Sequence, residues 1–375
     1  MKRIAVGLAL GAIVTASPAA AQLFGPARTA VLYESYAFDP GLIFDQITQL
    51  TVPIGMDLRL GRLGTLATST GFTRITLRST DVGQLANQDL SGMLDTELRL
   101  SVPLSPGRLI AIATGVLPTG VSTVEQSQLS ILGAISSDII GFAAPSVGSG
   151  GSVGGGLIGV VPLGRFALGF GATYRLPLAY QPVLGNVDDL QPGAEIRLRA
   201  ALEGGLSRQT FTRLALIYAV RSKDQVASQT QNGVGNRLIA YLSVNQQLGR
   251  MALTLYGFDV FRGEPQIEGS TVGAAILPRG NLLAGGMRLA IPLGQATEFT
   301  PRFELRVSTA AADTAAAPME RLGQSMRFGF DLRRRLSPGA SLVAQGGMVS
   351  GSVRQANADI GMSGWRTALH LELHR

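Results

Sequence analysis

Leu94-Asp95-Thr96-Glu97-Leu98-Arg99-Leu100-Ser101-Val102-Pro103-Leu104 is the stretch on which the fold turns. Taken two at a time, Leu94, Thr96, Leu98, Leu100, Val102 and Leu104 fall on one side, and Asp95, Glu97, Arg99 and Ser101 on the other. Side chains alternate faces along a strand, so this is a strand with one apolar and one charged face. Pro103 lacks the amide donor that a sheet ladder needs and places the strand end nearby. Ser105-Pro106-Gly107 then turns the chain into a second apolar run, 109–117. Such alternation fits a soluble half-buried sheet, and it fits equally a barrel with apolar side chains toward lipid and charged ones toward its lumen.

Composition separates the two. The chain is 46% hydrophobic and 15% charged, with a mean hydropathy of +0.26, whereas soluble domains carry about 25% charged residues. The apolar residues are scattered at alternate positions. After the N-terminal segment no run reaches the roughly 20 apolar residues of a spanning helix. At the start, Met1-Lys2-Arg3 is basic, 4–16 is apolar and Ala19-Ala20-Ala21 precedes Gln22. This is the pattern of a secretory leader cut after Ala21. The expectation is a signal peptide over 1–21 and one domain over 22–375. With no Cys, a disulfide-stapled fold is excluded. The formal charge is +7, Lys occurs only at positions 2 and 223, and the arginines are spread along strands. No basic stripe with interleaved aromatics marks a nucleic-acid partner.

The same pattern recurs along the chain. Ala194, Ile196, Leu198, Ala200 and Leu202 oppose Glu195, Arg197, Arg199 and Glu203. Met326, Phe328, Phe330 and Leu332 oppose Arg327, Asp331 and Arg333, and Trp365, Thr367, Leu369, Leu371 and Leu373 oppose Arg366, His370 and Glu372. Further strands are expected at 29–37, 43–60, 66–77, 157–163, 166–178, 210–220, 237–248, 251–261, 282–293, 298–307 and 342–349. Short turns near 61–64, 105–107, 164–165, 205–209, 249–250, 294–296 and 337–339 alternate with longer polar or Gly-rich connections. Four Pro residues, at 53, 103, 162 and 292, stand just before short turns. The fold class expected is all-β: a transmembrane antiparallel up-and-down barrel of about 14–16 strands, with both chain ends on the short-turn side. Segment 118–152 is long enough to enter the barrel as a constriction. An ordinary surface loop with a helical turn near 130–140 is the simpler expectation.

Placing an Arg against lipid at mid-bilayer costs roughly 2–4 kcal/mol, so the ionised residues of these strands must look inward. The lumen-lining candidates are Asp95, Glu97, Arg99, Glu195, Arg197, Arg199, Glu298, Arg302, Glu304, Arg306, Arg327, Asp331 and Arg333. They either pair into a network that fills a narrow barrel or line a water-filled path. Their mixed signs argue against strong ion selectivity.

Asp89-Leu90-Ser91-Gly92-Met93-Leu94-Asp95-Thr96, followed by Val116-Leu117-Pro118-Thr119-Gly120, resembles outer-membrane proteins of the phenol-degradation-pathway type, distant relatives of long-chain fatty-acid transporters. In that group a Gly-x-x-Asp strand start precedes a strand ending in Pro-Thr-Gly. The resemblance covers roughly 30–180 and implies a barrel that passes or senses small hydrophobic compounds. The C-terminal His370-Leu371-Glu372-Leu373-His374-Arg375 departs from the aromatic ending usual in barrels recognised by the assembly machinery.

Catalytic chemistry is thinly represented. A hydrolase needs a His-assisted nucleophile, and the two histidines, His370 and His374, lie in the last six residues. No metal-spaced cluster is present. The Gly-rich run 148–156 lacks the Gly-Lys-Ser/Thr of a phosphate loop. No enzyme, cofactor or metal is expected. The leading expectation is a passive channel for small solutes in the bacterial outer membrane, with membrane lipid and the barrel assembly machinery as partners. A non-conducting adhesin-like or scaffold barrel is the alternative, a barrel hydrolase comes third, and a soluble β-sandwich is the alternative fold.

Overall fold

The computed structural model describes residues 27–80, 87–185, 188–230, 233–265, 279–311, 318–355 and 358–373. The expected leader with its cleavage site, and His374, lie outside them. Sixteen barrel strands follow in chain order. They are β1 Ala27–Phe38, β2 Phe44–Arg59, β3 Thr65–Ser79, and β4 in two pieces, Gln88–Met93 and Thr96–Ser105. Next come β5 Leu109–Leu117, β6 Ser152–Leu163, β7 Phe166–Pro177, β8 Glu195–Gly205, β9 Thr210–Arg221 and β10 Arg237–Leu248. The set ends with β11 Met251–Arg262, β12 Gly280–Pro292, β13 Thr297–Ala311, β14 Met319–Ser337, β15 Ala340–Gln355 and β16 Ala358–Leu373. Each pairs antiparallel with the next, and β1 pairs with β16, with Val31 opposite Leu369 and Glu34 opposite Arg366. The sheet therefore has no free edge, which is how an antiparallel sheet satisfies every backbone group in an apolar medium.

Alternation places Leu157, Phe170, Leu198, Leu242, Leu255, Phe328, Met348 and Leu369 on the outer face, all well exposed. No helix among the described residues is long and apolar enough to cross a membrane. The short turns, the start of β1 and the end of β16 share one rim, and the strand ends that the long connections join lie at the other. That other rim also carries the brief connection 39–43 between β1 and β2.

The wall is uneven. β14 has 19 residues and β2, β15 and β16 have 16 each, whereas β5 has 9 and β6 to β11 have 11 or 12. At the long-connection rim the sequence pattern stops the tall strands short, at 307, 326 and 349 instead of Ala311, Met319 and Gln355. The reason is that above the apolar band the outward residues become polar (Thr309, Gln324, Ser350, Ser352, Arg354), so the lipid-facing alternation fades while the hydrogen-bond ladder continues. The opening strand also differs. It begins at Gln88 and is interrupted at Leu94-Asp95, where Leu94 still donates to the Gly71 carbonyl at 2.7 Å. Among the long connections, Leu190–Gln191, Gln225–Val226 and Gln229–Thr230 form a small sheet that ties two of them together.

The largest correction concerns 118–151. This segment does not lie on the surface; it folds into the barrel. A turn at Gln126–Gln128 leads into the short helix α1, Leu129–Ile135. Ile131, Ala134 and Ile135, spaced i, i+3, i+4, share its buried face, and Ile139, Ile140, Phe142 and Val147 continue it. They pack on Tyr36 and Phe38 of β1, Ile47 of β2, Ile75 and Leu77 of β3, Leu90 of β4, Leu282 of β12, Val349 of β15, and Ile360 and Met362 of β16. These wall residues occupy inward positions, where bare apolar surface would face water at about 25 cal/mol per Å². Burying them beneath the loop removes that cost.

Candidate functional site

The inward loop divides the lumen. Its stem is held by Asp95, which the break in β4 releases from the ladder. Asp95 Oδ1 accepts from the Gly120 amide at 3.0 Å, and Oδ2 accepts from the Ser149 amide and hydroxyl, each at 2.7 Å. One carboxylate thus fastens both ends of the loop. Thr119 Oγ1 pairs with Thr96 Oγ1 at 2.8 Å and donates to the Leu94 carbonyl. A Cβ on Gly92 would collide with the Val121 side chain. The Gly92-x-x-Asp95 and Pro118-Thr119-Gly120 motifs are therefore the two halves of one clasp.

The loop tip is held by its main chain. Arg306 Nη1 donates to the Asp138 carbonyl at 3.2 Å, and Arg327 Nη2 donates to the Ile139 and Ile140 carbonyls at 2.9 and 2.5 Å. Arg366 Nη2 reaches the Gly141 carbonyl at 2.8 Å, and Gln49 Nε2 the Ala144 carbonyl at 2.9 Å. In the opposite sense, the Ala143 amide donates to Glu34 Oε2 at 2.9 Å. Buried backbone groups without partners are costly, and here the strand side chains supply what a neighbouring strand would. Gly141 is in the left-handed region at φ +59, and a Cβ there would come 2.5 Å from Arg306 Nη1.

Cross-strand register places the candidates other than Asp95, which lies in the break of β4, on inward positions, but in different company. On β13 and β14, Glu304 binds Arg306 at 2.6 Å and lies 3.9 Å from Arg327, and Arg302 faces Asp331 at 3.5 Å. Arg333 reaches Glu372 at 3.0 Å, and Glu298 sits opposite Arg333. Glu34 pairs with Arg366, through Nε at 2.6 Å. The charges of this wall are balanced, and they anchor the loop.

The facing wall differs. On β8, Glu195 binds Arg197 at 2.5 Å, and Glu203 binds Arg213 of β9 at 2.7 Å. Arg99 and Arg199 form no ion pair among the described residues, and their Nε atoms lack a hydrogen-bond partner. Asp138 turns its carboxylate outward from the loop toward Arg262 of β11, 3.8 Å away. The inward residues of β7 and β8 keep accessible surface, and Arg237 of β10 is exposed, whereas Leu32, Glu34, Tyr36, Ile47, Gln49, Thr51, Thr73 and Ile75 are 0% exposed. The gap between loop and wall therefore lies along β7 to β10.

Sequence reasoning missed Glu34, which lies between the apolar inward residues Leu32 and Tyr36, and Gln49, which lies between Ile47 and Thr51. It also missed Arg175, Arg237 and Arg262, each at a strand end where alternation gives way to loop. His370 faces inward, and its Nε2 is 3.0 Å from Gln345 Oε1. A His–amide pair is not the His–hydroxyl contact of a hydrolase. Among the described residues no group of three or more His, Cys, Asp or Glu could hold a metal ion.

No protein-family model matches the chain, and no curated protein matches it. Solved structures that resemble it are outer-membrane barrels. The alcaligin outer-membrane receptor FauA of Bordetella pertussis has a TM-score of 0.46 at 8% identity, over 91% of this chain and 75% of that one. OccD1 (OprD) has a TM-score of 0.42 at 8% identity, over 97% of each. The anion-selective porin from Comamonas acidovorans has a TM-score of 0.41 at 13% identity, over 92% of this chain and 97% of that one. The closed strand pairing itself defines the fold. These three structures do not confirm the phenol-pathway and fatty-acid-transporter types.

Proposed function

We propose that the chain is a bacterial outer-membrane barrel that acts as a passive channel for small solutes. The solutes cross through the part of the lumen that the inward loop leaves open. The observation that carries this reading is the contrast in accessibility: inward side chains along β7 and β8, and Arg237 of β10, meet solvent, whereas those beneath the loop do not. The loop covers most of the apolar interior positions, and the accessible rows of β7 to β10 carry Arg175, Glu195, Arg197, Arg199 and Arg237 beside small and apolar residues such as Ala201, Ile217 and Ile239. The lining therefore favours polar solutes over the hydrophobic compounds that the sequence resemblance implies. The apolar outer face supports a place in the membrane with lipid around it, and assembly there by the barrel machinery belongs to the same proposal. No catalytic role is proposed.

Reconstitution into planar bilayers tests the function. Stepwise conductance is expected, together with heat-modifiable gel mobility of the membrane-extracted protein. A well-folded barrel that stays silent for every salt and voltage would favour the scaffold reading, and recovery of the protein without detergent would remove the barrel from the membrane altogether.

A further inference from the structure

We propose that the open side of the lumen is a path for small anions, with Arg99, Arg175, Arg199 and Arg237 setting the preference. The inference rests on the channel reading and adds the class of solute. Along β4 to β7 the inward residues in one cross-strand row are Arg99, Thr114, Gly154 and Arg175. The strands bearing the two arginines are roughly 14 Å apart at about 4.8 Å per strand spacing. Gly154 and Gly156 of β6 and Gly169 and Gly171 of β7 also occupy inward positions, beside Thr114, Ile158 and Thr173. In the row between the two arginines the wall therefore carries no side chain larger than that of Thr114. Across this floor, Arg99, Arg197 and Glu195 are electrostatic neighbours of Arg199. Arg237 has Arg262 and Arg197 as neighbours, with Asp138 of the loop on the other side.

The nearby carboxylates offset these charges only in part, although Glu195 stands opposite Arg175 and Glu97 is also its electrostatic neighbour. Glu195 is bound to Arg197, Glu203 is bound to Arg213, and Asp95 is taken by the amides of Gly120 and Ser149. Asp138 leans toward Arg262. Glu97 alone faces the same space without an ion pair among the described residues. Arg175 is oriented by a hydrogen bond from its Nε to Ser152 Oγ at 2.8 Å. The wall that grips the loop is charge-balanced, so the field in the gap is set by this side and is positive. A narrow passage with low-dielectric walls concentrates such a field, and rings of Arg select anions in pores. The guanidinium fork suits carboxylate and phosphate oxygens and stays charged at all working pH values. The class of solute is thus a small anion bearing carboxylate or phosphate, with chloride as the simplest probe.

The test is the reversal potential of the full-length protein in planar bilayers under a KCl gradient. The wild type is expected to favour chloride. Arg199→Gln with Arg237→Gln should lower the chloride-to-potassium permeability ratio roughly three- to tenfold, while Arg199→Lys with Arg237→Lys keeps it. Heat-modifiable mobility shows that each variant is a folded barrel. Conductance with potassium preference, or a ratio that the Gln pair leaves unchanged, overturns the anion path and spares the channel. Absence of any wild-type conductance overturns both.

Discussion

The two sides of this barrel carry the same kind of inward residue and use it in opposite ways. On the tall side, β13 to β16 with β1 and β2, arginines and carboxylates pair with each other, and their remaining donors hold the main chain of residues 138–144. On the short side, arginines outnumber the carboxylates near them and face water. Which face a charge occupies follows from lipid on the other side of the wall. What the charge does there depends on whether a segment of chain comes to meet it.

The comparison is broken most severely at Glu34. Arg366→Met leaves a carboxylate of zero exposure without its partner and should cost about 3–5 kcal/mol, measured by urea unfolding in detergent micelles. The double variant Arg366→Met with Glu34→Met removes both charges and should recover most of that loss. If the single variant unfolds at the wild-type midpoint, the tall wall is not a latch. A smaller effect is expected at the clasp. Asp95→Asn replaces a carboxylate that accepts three hydrogen bonds and should destabilise by about 1–3 kcal/mol, with increased open-channel noise as the loop stem loosens. Gly141→Ala adds a Cβ against Arg306 and Arg327 at a left-handed backbone position. Strain of roughly 1–3 kcal/mol confined to the loop should raise the single-channel conductance while leaving heat-modifiable mobility intact. The smallest effect belongs to the short wall: Arg199→Met should change stability by less than about 1 kcal/mol, in the same unfolding assay.

Much of the architecture was legible because lipid imposes a simple rule. Alternation at Leu94 to Leu104 and at Ala194 to Glu203 marks both faces, and the turn-and-loop rhythm gives about 14–16 strands, of which the structure has sixteen. The rule stops where the lipid stops. Above the band, Thr309, Gln324 and Ser350 stand outward, so the sequence no longer distinguishes strand from loop although the ladder runs on. The inward loop was hidden for a related reason. Leu32, Tyr36, Ile47 and Ile75 occupy inward positions and read from sequence as ordinary strand residues; only their shared register shows an apolar surface that needs a cover. Asp95 looked like one more lumen charge, and its role became visible only once Gly120 and Ser149 were brought to it from 25 and 54 residues away.

The central claim is that the loop seals one wall and leaves the other open to water, and single cysteines test it directly because the chain contains none. In membranes, a small membrane-impermeant thiol reagent should modify Arg199→Cys quickly, and should leave Gln49→Cys, beneath the loop, and Leu198→Cys, against lipid, unmodified. Equal labelling at positions 49 and 199 would mean that the loop does not cover the tall wall, and labelling at 198 as fast as at 199 would mean that the faces of the barrel are assigned wrongly.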